Sequence, residues 1–186
     1  MIGSSRINIS LPQLSLILGG ARSGKSALAE RLVRATARPR HYIATAEAWD
    51  DEMRARIAQH QTDRGADWIT AEAPRDLCAA LAAIPAGAVV LVDCATLWLT
   101  NHMLAEADIE AETSALLAAL AGCAAPVVVV SNEVGWGIVP ENALARAFRD
   151  HQGRLNQRLA VQAGLVVGVM AGLPMVLKGA IPEGVL

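Results

Sequence analysis

The stretch that decides the fold is Gly19-Gly20-Ala21-Arg22-Ser23-Gly24-Lys25-Ser26, which fits G-x-x-x-x-G-K-[ST]. Before it runs the apolar Leu14–Leu18, a strand in reading. After it comes Ser26–Ala37, with Leu28, Leu32 and Ala35 on one helical face. Strand, glycine turn and helix are the context this motif requires. Glycines let the backbone curl so that successive N–H groups point at phosphate oxygens. The helix adds the positive end of its dipole. Lys25 is placed to reach β- and γ-phosphates, and Ser26 to ligate Mg²⁺.

Lysine is scarce in this chain. Of 16 Lys+Arg, 14 are Arg, and only Lys25 and Lys178 are Lys. One of the two stands where a phosphate loop needs a compact ammonium, a role that a planar guanidinium fork does not simply fill.

Outward from the loop, apolar runs alternate with helical patterns. His41–Thr45, Ala88–Val92, Val127–Val130, Val166–Met170 and Met175–Leu177 read as strands. Asp50–Gln61, Pro74–Ala83, Ala111–Ala121 and Glu141–Ala163 read as helices. Strands that are apolar throughout belong in a sheet covered on both faces, and their alternation with helices predicts a parallel α/β sheet. The expected fold is therefore a three-layer, P-loop NTPase-like (RecA-like) α/β domain. A C-terminal antiparallel hairpin is expected around Gly172-Leu173-Pro174. Residues 14–186 form the expected single domain, and residues 1–13 a ragged extension.

Composition narrows the classes. The chain has 186 residues, a net charge of -2 and 53% hydrophobic residues, 36 of its positions being alanine. That excludes disorder, and a sequence pI of about 6.1 argues against a nucleic-acid surface. Cys78, Cys94 and Cys123 include no C-x-x-C pair and read as small buried residues. The uncharged stretches Thr113–Asn132 and Leu159–Leu177 are interrupted by glycine and proline, so they read as buried elements rather than membrane spans. A cytoplasmic location is expected, with no stable membrane span and no signal peptide in Met1–Pro12.

Two further features carry chemistry. Val89-Val90-Leu91-Val92 ends at Asp93, placed to hold Mg²⁺ or to cap the strand. His60 shares a helical face with Met53 and Ile57, which suits a packed imidazole; a neutral imidazole can also attack an α-phosphate. Spacing alone leaves both readings open. The segment Ser131-Asn132-Glu133-Val134-Gly135 through Asn142 follows a buried strand, on the edge where α/β proteins bind ligands. Arg146, Arg149, Asp150, Arg154 and Asn156 follow on a helix, as ligand contacts or a solvated face.

Together these pieces resemble the bifunctional adenosylcobinamide kinase / adenosylcobinamide-phosphate guanylyltransferase family of cobalamin biosynthesis. The matching pieces are the phosphate loop, Tyr42–Thr45, Asp51-Glu52-Met53 with Arg56-Ile57 and His60, Trp68–Glu72, Val92-Asp93-Cys94, Leu97–Asn101, Ser131–Asn142, Leu144-Ala145-Arg146, Phe148-Arg149-Asp150, and Gly153 with Asn156-Gln157. They span Leu14 to Lys178.

The resemblance implies phosphorylation of the adenosylcobinamide hydroxyl by ATP or GTP, then GMP transfer from GTP through a guanylyl-histidine. It makes His60 the nucleophile and Lys25 a catalytic cation. It implies nucleotide contacts at Gly19, Gly20, Ala21, Arg22, Ser23, Gly24, Lys25 and Ser26, and at Ala44, Thr45 and Ala46. Further contacts fall at Gln61, Thr62, Asp63, Arg64, Glu72 and Asp93. Ser26 and Asp93 would hold Mg²⁺, and a homo-oligomer, a trimer by resemblance, is implied. The family can carry adjacent histidines where Gln59 precedes His60 here, which leaves one nucleophile. Trp49, Trp98 and Trp136 are candidate walls for the corrinoid. The rival readings are a kinase of another small alcohol and a nucleotide-switched binding module.

Overall fold

The computed structural model describes residues 9–47, 65 and 67–186. Its elements are β1 (Leu14–Gly19), α1 (Lys25–Ala35), β2 (Arg40–Ala44), β3 (Trp68–Glu72), α2 (Leu77–Ala82) and β4 (Val89–Asp93). They continue with α3 (Ala95–Leu104), α4 (Ile109–Gly122), β5 (Val127–Asn132), α5 (Ala143–Gln162), β6 (Leu165–Met170) and β7 (Leu173–Lys178). The expected helix over Asp50–Gln61 lies outside the described residues.

The strands make one sheet in the order β3-β2-β4-β5-β1-β6-β7. Every pairing is parallel except β6–β7, the expected antiparallel hairpin. Its turn is Ala171-Gly172, slightly earlier than the sequence suggested, and both residues have positive φ (52° and 79°). A two-residue hairpin turn with both residues in that region matches the twist of its strands.

Alternation along each strand sorts the core into two layers. Leu14, Leu16, Val90, Val92, Val127 and Val129 face a cluster with Leu81 of α2, Leu99 of α3, Leu116 of α4 and Leu155 of α5. Ile17, Leu91, Val128, Val130 and Val167 face the other way, onto Leu28 and Leu32 of α1. The central strands are therefore apolar on both faces along most of their length, with Ser15, Ser131 and the strand-end residues Asp93 and Asn132 as their polar positions, as suits a sheet covered on both faces. Each fully buried Leu, Ile or Val stabilises the fold by about 1.5–3 kcal/mol.

Three differences from the sequence reading have physical causes. Residues 9–13, expected to trail away, pack on the domain. Ile9 and Leu11 are buried in the α1-side core, and Gln13 Nε2 donates to Cys123 O at 2.8 Å and Ala125 O at 3.2 Å. Helix α3 was not anticipated: Trp98, Leu99, Asn101 and His102 are all buried, so polar and apolar residues share its inner face and blur the period. Strand β3 is short and lies on the sheet edge, with only Trp68 buried.

The two uncharged stretches break as expected. Thr113–Asn132 divides into the end of α4 and β5, and Leu159–Leu177 into the end of α5, β6 and β7. Among the described residues, no helix is long and apolar enough to cross a membrane.

Candidate active site

The phosphate loop joins β1 to α1 and is built by close approach. A Cβ on Gly19 would collide with Ser23 Oγ and lie 2.6 Å from Val169 O. Gly24 has φ 96°, and a Cβ there would stand 3.1 Å from Gly172 Cα. Arg22 adopts φ 55°, so left-handed residues alternate through the turn. That alternation turns N–H groups toward one concavity, the shape that holds an anion. The loop is braced from the hairpin, where Gly172 N–H donates to Ser23 O at 2.8 Å.

Two groups in the loop are poised for a ligand. Ser23 Oγ is buried with no hydrogen-bond partner among the described residues. Lys25 folds back so that Nζ donates to Gly20 O at 3.0 Å. Burial pulls the Lys25 pKa down, while Cys94 and Asp93 pull it the other way. A polyphosphate would offer this cation the charge that the surrounding protein only partly supplies.

Strand register lines up the rest of the edge. Gly19 pairs with Asn132 on β5, and Ala44 on β2 stands between Asp93 on β4 and Glu72 on β3. Gly19, Ala44, Glu72 and Asp93 thus share the C-terminal edge of one sheet, where open α/β folds bind ligands. Asp93 is two strands from β1, roughly 10 Å at about 4.8 Å per strand, and Glu72 is four strands away, roughly 19 Å. Asp93 Oδ2 accepts from the Tyr42 hydroxyl at 3.1 Å.

The peptide between Asp93 and Cys94 is cis. Burial, with Asp93 adding to it, pushes the Cys94 thiol up to about 11, so it stays protonated and is no nucleophile at neutral pH.

Two buried polar knots fasten this edge from below. In the first, the Thr45 hydroxyl donates to Cys94 O at 2.7 Å and accepts from Cys94 N–H at 2.8 Å. Asn101 Nδ2 from α3 donates to Thr45 O at 2.8 Å and Pro74 O at 2.9 Å. The Thr45 side chain is therefore occupied by backbone, and its neighbours Ala44 and Ala46 are half-buried.

In the second knot, Ser131 Oγ donates to Asn156 Oδ1 at 2.7 Å, and Gln152 Nε2 donates to both, each at 2.9 Å. Asn156 Nδ2 then donates to Asn132 O at 3.0 Å, while Asn132 N–H donates to Thr96 Oγ1 at 2.8 Å. Gln152 Oε1 is buried without a hydrogen-bond partner among the described residues.

Neither knot was read from the sequence as a unit. Asn101 and Asn156 fall in the quoted motifs, but a polar residue on a helix gives no sign of which strand it meets.

Other expected residues divide. His60, Gln61, Thr62, Asp63, Arg64 and Trp49 lie outside the described residues. Trp98 is 1% exposed and packs against His102 with ring centres 4.6 Å apart, so it is core and not a corrinoid wall. Trp136 is 76% exposed on the loop after β5. Arg146 donates to Pro140 O at 2.9 Å and so braces the start of α5, while Arg149 pairs with its neighbour Asp150 at 3.2 Å on the helix surface.

Ser26 and Asp93 offer hydroxyl and carboxylate oxygens, the hard donors that Mg²⁺ takes together with substrate phosphates. Among the described residues, no group of three His, Cys, Asp or Glu could hold a metal without such help.

Comparison with known proteins agrees with this layout. The family described as cobinamide kinase / cobinamide phosphate guanyltransferase matches residues 15–177. The bifunctional adenosylcobalamin biosynthesis protein CobP of Pseudomonas aeruginosa is 48% identical over 167 residues, covering 88% of this chain and 96% of that protein. The bifunctional adenosylcobalamin biosynthesis protein CobU of Salmonella typhimurium is 44% identical over 179 residues, covering 88% of this chain and 98% of its own. The Escherichia coli protein of the same name is 42% identical with the same coverage. Likeness to solved structures is looser: the RadB recombinase is 18% identical with a TM-score of 0.45, covering 85% of this chain and 74% of its own. With a phosphate loop, an edge aspartate and relatives of this identity along nearly all of its length, the chain belongs to the cobinamide kinase / cobinamide phosphate guanyltransferase family.

Proposed function

We propose that this chain carries out both reactions of its family's name, on adenosylcobinamide. In the first, the substrate hydroxyl attacks the γ-phosphorus of ATP or GTP and a nucleoside diphosphate leaves. In the second, an imidazole nitrogen of His60 attacks the α-phosphorus of GTP and pyrophosphate leaves. The phosphate of adenosylcobinamide phosphate then displaces His60, giving adenosylcobinamide-GDP. The observation that carries this reading is the phosphate loop with an unpartnered Ser23 hydroxyl, on the same sheet edge as Asp93.

The roles follow from position. N–H groups of Gly19–Ser26 and the Lys25 ammonium stabilise phosphate charge as it shifts in the transition state. Ser26 and Asp93 would hold Mg²⁺, which when bound neutralises phosphate oxygens. Ala44, Thr45 and Ala46 line the edge through backbone, since the Thr45 hydroxyl is engaged. Glu72, four strands from the loop, receives the part of a guanine nucleotide remote from its phosphates. Gln61, Thr62, Asp63 and Arg64 join the same nucleotide beside His60. Trp136 forms a wall for the corrinoid.

The protein acts as a cytoplasmic homo-oligomer of single-domain subunits. The outer strand β7 fits an interface, with Leu173 70% and Leu177 64% exposed on an edge that another chain could cover.

The test is intact-protein mass spectrometry after incubation with GTP and Mg²⁺, with product analysis after adenosylcobinamide is added. Wild type gains one GMP. His60→Ala gains none and forms no adenosylcobinamide-GDP, yet still phosphorylates adenosylcobinamide. An adduct on His60→Ala would sink the nucleophile assignment.

A further inference from the structure

The kinase reaction needs an acceptor for the hydroxyl proton. Lys25 is a cation, and Asp93 lies within the field of Lys25 and takes the Tyr42 hydroxyl. Among the described residues, Glu47, Glu72 and Glu133 stand at or next to the strand ends of this edge, while Asp76 and Glu141 lie farther along the segments after β3 and β5. Glu47 pairs with Arg75 at 4.0 Å. Glu72 is four strands from the phosphate loop. Glu133 directly follows β5, the strand beside β1, and its own N–H donates to Gly19 O at 3.1 Å. Its backbone is thereby tied to the first residue of the phosphate loop.

The local structure holds this carboxylate on one side only. Glu133 is half-buried, and Oε1 accepts from Gly135 N–H at 2.7 Å. The two groups lie close together: a Cβ on residue 135 would stand 2.9 Å from Oε1. Oε2 makes no hydrogen bond among the described residues. Just before it, Asn132 is gripped through its N–H by Thr96 and through its carbonyl by Asn156. A carboxylate oriented through one oxygen, on a backbone fixed by the layer beneath, is preorganised to receive a proton.

We propose that Glu133 is the general base of the kinase step, an inference that rests on the function proposed above. The alcohol oxygen forms a bond to the γ-phosphorus. The bond from that phosphorus to the β–γ bridging oxygen breaks, and its electron pair leaves with the nucleoside diphosphate. The hydroxyl proton passes to Oε2 of Glu133. Guanylyl transfer through His60 involves no alcohol proton, so it makes no demand on this carboxylate.

Glu133→Gln separates this role from a structural one. Glutamine retains a carbonyl oxygen for Gly135 N–H but accepts no proton. The full-length variant should phosphorylate adenosylcobinamide about 10²–10⁴-fold more slowly. Nucleotide affinity and the rate of guanylyl-histidine formation should change less than about threefold. Kinase activity within about threefold of wild type would overturn the assignment. So would an equal loss of both reactions, which would mark a disturbed phosphate loop. If wild type itself phosphorylates no adenosylcobinamide, the underlying function falls and this inference with it.

Discussion

The two buried knots beneath the sheet edge look alike in composition and differ in what they join. The Thr45–Asn101 knot spends its donors on main-chain carbonyls of Cys94, Thr45 and Pro74, tying together the ends of β2, β3 and β4. The Ser131–Gln152–Asn156 knot is mostly side chain to side chain, and carries an unpartnered oxygen on Gln152. Buried main-chain groups have no alternative partner once a side chain is removed, whereas a side-chain triangle can lose one corner and keep the rest satisfied. The first is therefore expected to be brittle and the second tolerant.

The largest effect should come from the brittle side. Asn101→Ala leaves the buried carbonyl of Thr45 and the half-buried carbonyl of Pro74 without this donor and should cost about 2–4 kcal/mol of stability by denaturant unfolding. A loss below about 1 kcal/mol would mean that water replaces the amide and that the knots do not differ as described.

The tolerant side predicts the opposite. Gln152→Met removes two donated bonds but also the orphaned oxygen, and Ser131 still donates to Asn156. Its unfolding free energy should stay within about 1 kcal/mol of wild type. A drop as large as that of Asn101→Ala would erase the contrast.

The smallest effect belongs to a fastening in neither knot. Lys178 Nζ donates to Ala160 O at 3.0 Å and Val161 O at 2.8 Å, capping the last turn of α5 from β7. Water competes for those carbonyls, so Lys178→Ala should cost only about 0.3–1 kcal/mol. It should lower the melting temperature by no more than about 4 °C.

The sheet was readable because it is covered on both faces: runs such as Val89–Val92 and Val127–Val130 are apolar throughout and bounded by polar ends. The phosphate loop was readable because its spacing is set by local backbone geometry. The place of Asp93 at the end of β4 was readable because a carboxylate closes an apolar run.

What escaped depends on contacts distant in sequence. Asn101 meets Pro74 across 27 residues and Thr45 across 56, and nothing in a local window encodes that pairing. Helix α3 escaped because its inward face carries polar residues that serve the knot. Lys178 stood at a noted position with no evident purpose, because its partners belong to a helix that ends many residues earlier.

The turn at Ala171-Gly172 donates a hydrogen bond to Ser23 O and packs against Gly24. Hairpin tips are ordinarily where a chain accepts extra residues without harm. Here the tip is also a wall of the phosphate cradle, so its length is not free to vary. One residue inserted between Ala171 and Gly172 would swing the donor away from Ser23 and shift the neighbour that Gly24 packs against. A surface label, linker or fusion joined at this bend would reach the nucleotide loop first.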